Sequence, residues 1–323
     1  MNKSKKIFLS GHNGLVGSAV LKKLKDSGFK KIIIKDRKKL DLLDQKKVES
    51  FFKKNKIHTV IFCAGFVGGI GATSSKPVEF STLNLRMFLN TIESSFKNNV
   101  EVFINLGSAC IYPTSIKRNL KEEDLLTDKP EPTNEAYSLA KISSLKICNF
   151  YKQQFKKNYF SLMPANIFGE NDNYDLKTSH VVPALIRKFF EAKKQNKKNL
   201  IIWGDGKPIR DLFYSNDLAD AILFCLKNYK NKSFIKYINK NGFLNVGTGK
   251  GVQIREIIES LIKISGYNGK IIYDGRSSIN GMRRRVLNIT KIKKLGWKPK
   301  HTFIQALKKV YYNYSKNNNN LRN

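Results

Sequence analysis

The 323-residue chain has little cysteine, histidine, tryptophan or acid. Its four cysteines (Cys63, Cys110, Cys148, Cys225) stand far apart with no Cys-x-x-Cys, and its four histidines share no ligand spacing. That excludes a disulfide framework and a structural zinc site. No run approaches the ~20 apolar residues a membrane span needs. Met1–Lys6 passes straight into a short apolar run, without the longer apolar region and cleavage site of a secretory signal. A cytoplasmic protein with no membrane partner is expected. Asp and Glu number 25 against 60 Lys and Arg, for a formal net charge of +35, which raises the question of a polyanionic partner. Only 11 of those 60 are Arg, however, and the Lys fall in scattered pairs such as Lys30-Lys31, Lys38-Lys39 and Lys193-Lys194 among many asparagines. This is a bias of composition rather than a phosphate-tracking groove. No specific nucleic-acid partner is expected, only nonspecific binding at low salt. With 41% hydrophobic residues the chain can bury a large core, as one domain or two closely joined ones.

What is present begins with Lys6–Ser10, a buried strand, followed by Gly11-His12-Asn13-Gly14-Leu15-Val16-Gly17 and a helix over Ser18–Ser27. A glycine turn between strand and helix lets backbone approach a pyrophosphate at the helix N-terminus. A second strand, Lys31–Lys35, ends at Asp36-Arg37-Lys38-Lys39, where such a fold reads the adenosine ribose. Asp36 there favours the 2′-hydroxyl of NAD, whereas Arg37 and Lys38 favour the 2′-phosphate of NADP. The balance leans to NADP, because neighbouring cations can neutralise a carboxylate. Asp41-Leu42-Leu43-Asp44 follows as a loop under the adenine. Further core strands over Thr59–Ala64 and Val102–Leu106, and another strand with its ligand-side loop within Ser161–Gly169, alternate with helices up to about residue 170. This predicts an α/β fold with a Rossmann-type, doubly wound parallel sheet over 1–170. Beyond it the rhythm is irregular, which suits a smaller C-terminal substrate-binding lobe over 171–315, interleaved with the first. The polar tail 316–323 is expected to be disordered.

Ser108 sits at the carboxyl end of the Val102 strand, where open α/β sheets place ligands. Tyr137 and Lys141 are one turn apart on a predicted helix, so they share a face. An ammonium beside a phenol would lower the phenol pKa toward a useful range. Tyr-x-x-x-Lys alone is an ordinary helix face more often than a catalytic pair, so the rest of the chain must decide.

The turn Gly11–Gly17, the Tyr137/Lys141 pair with its upstream Ser108, and Asn245-Val246-Gly247-Thr248-Gly249 resemble the extended short-chain dehydrogenase/reductases that act on nucleotide sugars. Other strings narrow the resemblance to enzymes that epimerise and reduce GDP-4-keto-6-deoxy-mannose. They are Val67-Gly68-Gly69-Ile70, Leu106–Pro113, Glu131-Pro132-Thr133-Asn134-Glu135-Ala136-Tyr137, Asp172-Asn173-Tyr174, Ser179-His180-Val181-Val182-Pro183 and Trp203-Gly204.

The resemblance implies hydride delivery to C4 of a GDP-sugar, with Tyr137 as acid, Lys141 tuning it and holding the nicotinamide ribose, and Ser108 orienting the carbonyl. Cys110 and His180 would exchange protons at C3 and C5, which lie α to the C4 ketone and are therefore acidic. NADP(H) would be held by residues 11–17, by Arg37, Lys38, Asp41 and Leu42, by Leu106, Gly107, Ser108 and Ala109, by Pro164, Ala165, Asn166 and Ile167, and by Lys141 and His180. Lys188, Trp203, Arg210 and Asn280 would hold the substrate, and a homodimer is implied, with the helix Ser138–Phe155 contributing. The chain departs from the family's pattern at Asn13 and Phe66, where the family commonly has Arg and Lys, and at Asn280 and Asn288, where it has Asp. Arg283 to Arg285 could still clamp a diphosphate. Two alternatives follow: a C4-reductase without epimerase activity on a related GDP-hexose or GDP-heptose, and an idle Rossmann protein binding nucleotide or RNA.

Overall fold

The computed structural model describes residues 3–275 and 282–317. The first half alternates β1 (Ile7–Ser10), α1 (Leu15–Asp26), β2 (Ile32–Ile33), α2 (Gln45–Asn55), β3 (Thr59–Phe62), α3 (Ile70–Ser75), α4 (Pro77–Lys97), β4 (Val102–Leu106), α5 (Glu135–Phe155) and β5 (Asn158–Pro164). The second half comprises β6 (Asn166–Phe168), α6 (Val181–Lys194), β7 (Asn199–Ile202), β8 (Ile209–Arg210), β9 (Leu212–Tyr214), α7 (Ser215–Asn228), α8 (Lys232–Asn241), β10 (Phe243–Val246), β11 (Val252–Gln253), α9 (Ile254–Ser265), β12 (Lys270–Tyr273), β13 (Arg284–Arg285), α10 (Thr290–Lys294) and α11 (Phe303–Asn317).

Among the described residues, six strands form one parallel sheet in the order β10-β5-β4-β3-β1-β2. Its inner strands are buried on both faces, as a sheet covered by helices on each side requires. The period of two sorts their side chains. Phe8, Val60, Phe62 and Phe103 pack with Phe51, Phe52 and Phe88 of α2 and α4, whereas Ile7, Leu9, Ile61 and Ile104 pack with Val20, Leu218 and Ile222 of α1 and α7. Truncating one of these aromatic rings, such as Phe103→Ala, costs about 3–5 kcal/mol.

The predicted second strand is shorter than Lys31–Lys35, because it lies at the sheet edge with β1 as its one partner. The chain returns to this sheet late: β10 pairs with β5 in the register Phe243↔Ser161 to Val246↔Pro164. A second apolar cluster joins α6, α9 and α11 around Phe189, Leu261 and Leu307. It backs the small sheets β6-β9, β7-β12 and β11-β8-β13. Of the polar tail, Lys316 and Asn317 close α11. No helix among the described residues is long and apolar enough to cross a membrane.

Candidate active site

The strand order reverses between β1 and β3, and the crevice outside their carboxyl ends is where a doubly wound sheet takes its ligand. A cleft of about 860 Å³ opens there. Gly11 has φ +68°, and a methyl group on it would lie 2.8 Å from the Ala64 nitrogen. A methyl group on Gly17 would overlap the Gly11 carbonyl oxygen, so the turn can close onto α1 with glycine alone. No side chain caps α1 and no acid occupies its first turn, leaving the N–H groups that begin the helix directed at the cleft. That arrangement fits the diphosphate of a dinucleotide.

In the turn after β2, Asp36 is already engaged: Asn13 Nδ2 donates to its Oδ1 at 2.8 Å, and His12 Nε2 lies 3.3 Å from the same oxygen. Arg37 Nε donates to Asp41 Oδ2 at 3.2 Å, and Arg37, Asp41 and Leu42 all line the cleft. Lys38 does not; it is exposed beyond the lining.

Tyr137 and Lys141 stand one turn apart in α5 and face the carboxyl end of β4. Lys141 is buried, and its Nζ donates to the Leu106 carbonyl at 3.0 Å and lies 5.6 Å from the centre of the Tyr137 ring. Burial lowers its pKa to about 8. Ser108 is beside the Tyr137 phenol and opposes the rise in its pKa. Contrary to the expectation from sequence, the phenol is pushed up, first by burial and then by Cys110. The ammonium is committed to the Leu106 carbonyl, and desolvation of the ring dominates. A phenol that keeps its proton suits an acid rather than a base.

Cys110, buried in a short 3₁₀ turn after Ser108, is tied to the same helix, because Ser138 Oγ donates to its carbonyl at 3.1 Å. His180 is the N-cap residue of α6 and opens onto the cleft from another loop. The enclosing walls, and then Arg285, lower its pKa. The loop that carries it crosses to the loop after β3, where Gly69 N donates to the Thr178 carbonyl at 2.8 Å. Cys63, at the end of β3, is raised to about 12 by burial.

At the far end, Lys188 Nζ lies 4.5 Å above the Trp203 ring, which is 53% exposed. Arg210 is buried, donates to the Met282 carbonyl at 2.6 Å, and has its pKa lowered to about 9 by burial and by Arg285. The Asn245–Gly249 string holds this corner: Asp211, next to Arg210, accepts from Thr248 N at 3.0 Å and Gly249 N at 3.1 Å. Of the three consecutive arginines, Arg285 alone lines the cleft; it pairs in register with Arg210, and its buried Nε has no partner. Arg284 turns away to Asn119 at 2.7 Å. Asn280 lies outside the described residues.

The other predicted cofactor residues, Gly11–Gly17, Leu106–Ala109 and Pro164–Ile167, all line the same cleft. Sequence reasoning had not singled out two further lining residues. Glu131 is a buried carboxylate near Arg210 that accepts from Thr133 and Asn134, and Asp172 is a buried carboxyl in the loop before α6. Both fall within stretches that carry the family resemblance, but nothing in such a stretch indicates which of its acids is buried.

The fold and this centre together define a dinucleotide-binding α/β protein of the short-chain dehydrogenase/reductase type. The chain belongs to the NAD dependent epimerase/dehydratase family, whose profile matches residues 7–239. It is 42% identical over 313 residues to a GDP-L-fucose synthase of Sinorhizobium fredii, covering 97% of this chain and 96% of that one. It is 40% identical to GDP-L-fucose synthase 1 of Arabidopsis thaliana, covering 98% and 95%. A solved GDP-mannoheptose C4 reductase from Campylobacter jejuni with NADP bound superposes with a TM-score of 0.88 at 31% identity, covering 97% of this chain and 99% of that one.

Proposed function

We propose that this protein converts a GDP-4-keto-6-deoxy-sugar, with NADPH, by epimerisation at C3 and C5 and reduction at C4; GDP-4-keto-6-deoxy-D-mannose to GDP-L-fucose is the specific reaction. The observation that carries the proposal is that one cleft collects Ser108, Tyr137 and Lys141 together with Cys110 and His180. NADPH supplies the hydride when bound. Ser108 and the Tyr137 phenol would polarise the C4 carbonyl, and Tyr137 Oη would give its proton to the oxygen as the C–H bond forms. Lys141 would hold the nicotinamide ribose. Cys110 Sγ and a ring nitrogen of His180 would remove a proton from C3, and then C5, and return one to the opposite face. A His180 held neutral is ready to accept a proton. Arg210 and Arg285 would take the substrate diphosphate, with Lys188 and Trp203 beyond them.

NADPH oxidation on adding GDP-4-keto-6-deoxy-mannose, with GDP-L-fucose identified by NMR, is the test; no oxidation would overturn the proposal. A second reading, C4 reduction without epimerisation, is favoured by the similarity to the C4 reductase. It gives a reduced product with C3 and C5 unchanged. The proposal includes a homodimer built on α4 and α5, supported by exposed Leu139, Phe150 and Phe155 on α5 and tested by analytical ultracentrifugation. A cytoplasmic location is supported by four unbonded cysteines.

A further inference from the structure

We infer that Phe66 is a positioning residue for Tyr137, acting through Phe80 to fix the tilt of the phenol ring. The inference rests on the reaction proposed above and names a further part of that site. Phe66 follows β3 and lines the cleft. Its ring centre is 4.6 Å from that of Phe80 at 55°, and Phe80 meets Tyr137 at 6.0 Å and 85°, edge against face. This geometry suits the charge distribution of the rings and resists rotation. One amide holds the start of the relay. Asn84 Oδ1 accepts from Phe66 N at 2.9 Å, and Asn84 Nδ2 donates to the Phe66 carbonyl at 2.9 Å and the Phe80 carbonyl at 2.7 Å. Space for the middle ring is kept by Gly68, where a methyl group would lie 3.3 Å from Phe80 Cζ and 2.9 Å from Ala72 Cβ.

Phe80 is buried, so it cannot re-pack freely, whereas Phe66 is half-buried and forms the outer end of the stack. Removing Phe66 therefore frees Phe80, and through it Tyr137, and admits water to the phenol. Neither proton-exchange group belongs to this stack of rings. Cys110 is anchored by Ser138 Oγ at 3.1 Å, and His180 stands at the start of α6. The stack ends on Tyr137, so Phe66 bears on C4 reduction more than on C3/C5 exchange.

The test compares Phe66→Ala and Phe66→Leu with the wild type in deuterated water, measuring C4 reduction by NADPH and deuterium uptake at C3 and C5 separately. Phe66→Ala is expected to lower kcat for reduction about 10- to 100-fold, the effect of a misplaced reacting group, with KM for NADPH nearly unchanged. Deuterium uptake should stay within about twofold of wild type, and Phe66→Leu should restore most of the reduction. Equal loss of reduction and exchange, or no loss of either, would overturn the inference. A readout independent of substrate uses the ring NMR signals of Tyr137, assigned with Tyr137→Phe. Their chemical shifts, set by the adjoining Phe80 ring, should move in Phe66→Ala and much less in Phe66→Leu, and unmoved signals refute the role. A wild type that neither reduces nor exchanges the sugar defeats the proposed reaction, and the NMR shifts still decide the role of Phe66.

Discussion

Replacing Asp172 with asparagine removes a carboxyl that the fold holds under poor conditions for a charge. The side chain is 5% exposed, its Oδ1 accepts from the Asn173 N–H at 2.8 Å, and its Oδ2 has no partner. Burial raises its pKa from 3.8 to about 7. Because the folded-state pKa lies above the unfolded one, the folded state holds the proton more tightly. Stability from this group is therefore full below pH ~3.8, is lost as pH rises toward 7, and is fully lost above it. A shift of ~3 units at ~1.36 kcal/mol each gives a ceiling of about 4 kcal/mol at pH 8. Asparagine keeps the acceptor for Asn173 and never ionises. Asp172→Asn is therefore expected to exceed the wild type by up to ~4 kcal/mol at pH 8, by about two-thirds of that at pH 6, and hardly at all at pH 4. Urea unfolding of both proteins from pH 4 to 8 measures the difference, in which the other raised carboxyls, Glu122 and Asp211, cancel. Parallel stability curves would refute the reasoning. A gain of this kind left unused is expected where a group serves a site rather than the fold.

Gly17→Ala places a methyl group into the Gly11 carbonyl, so NADPH binding should weaken by roughly 10- to 100-fold in a calorimetric titration. Unchanged binding would contradict the account of the turn. Tyr137→Phe should cut C4 reduction by about 100-fold or more while leaving C3/C5 exchange in place; an undiminished reduction would remove Tyr137 from the chemistry. Asp36→Ser takes away a carboxylate beside the expected 2′-phosphate, and the preference for NADPH over NADH in kcat/KM should rise about tenfold. A ratio that stays put would mean that Asn13 and His12 already mask the charge.

The parts of the site that were legible in the sequence are those built from near neighbours in the chain. Gly11–Gly17 could be read because strand, turn and helix are contiguous, and Tyr137 with Lys141 because helical spacing alone puts them on one face. What depends on distant segments could not be read. Phe243–Val246 carries an ordinary apolar pattern that does not say it will pair with β5. The raised pKa of Tyr137 follows from enclosure by residues such as Phe80, far away in sequence. Lys38 and Arg37 are adjacent and alike in charge, but the chain turns there and directs only Arg37 at the cleft. Similarly, Arg283-Arg284-Arg285 reads as one cationic clamp, whereas pairing of β13 with β8 sends Arg285 to the cleft and Arg284 to Asn119.

The central claim is that one cleft houses two chemistries, hydride transfer with Tyr137 as acid and proton exchange through Cys110 and His180. Turnover of GDP-4-keto-6-deoxy-mannose with NADPH in deuterated water tests it most directly. The account predicts a C4-reduced product carrying deuterium at both C3 and C5, with GDP-L-fucose configuration. A C4-reduced product with protium at C3 and C5 would contradict it and leave a reductase alone.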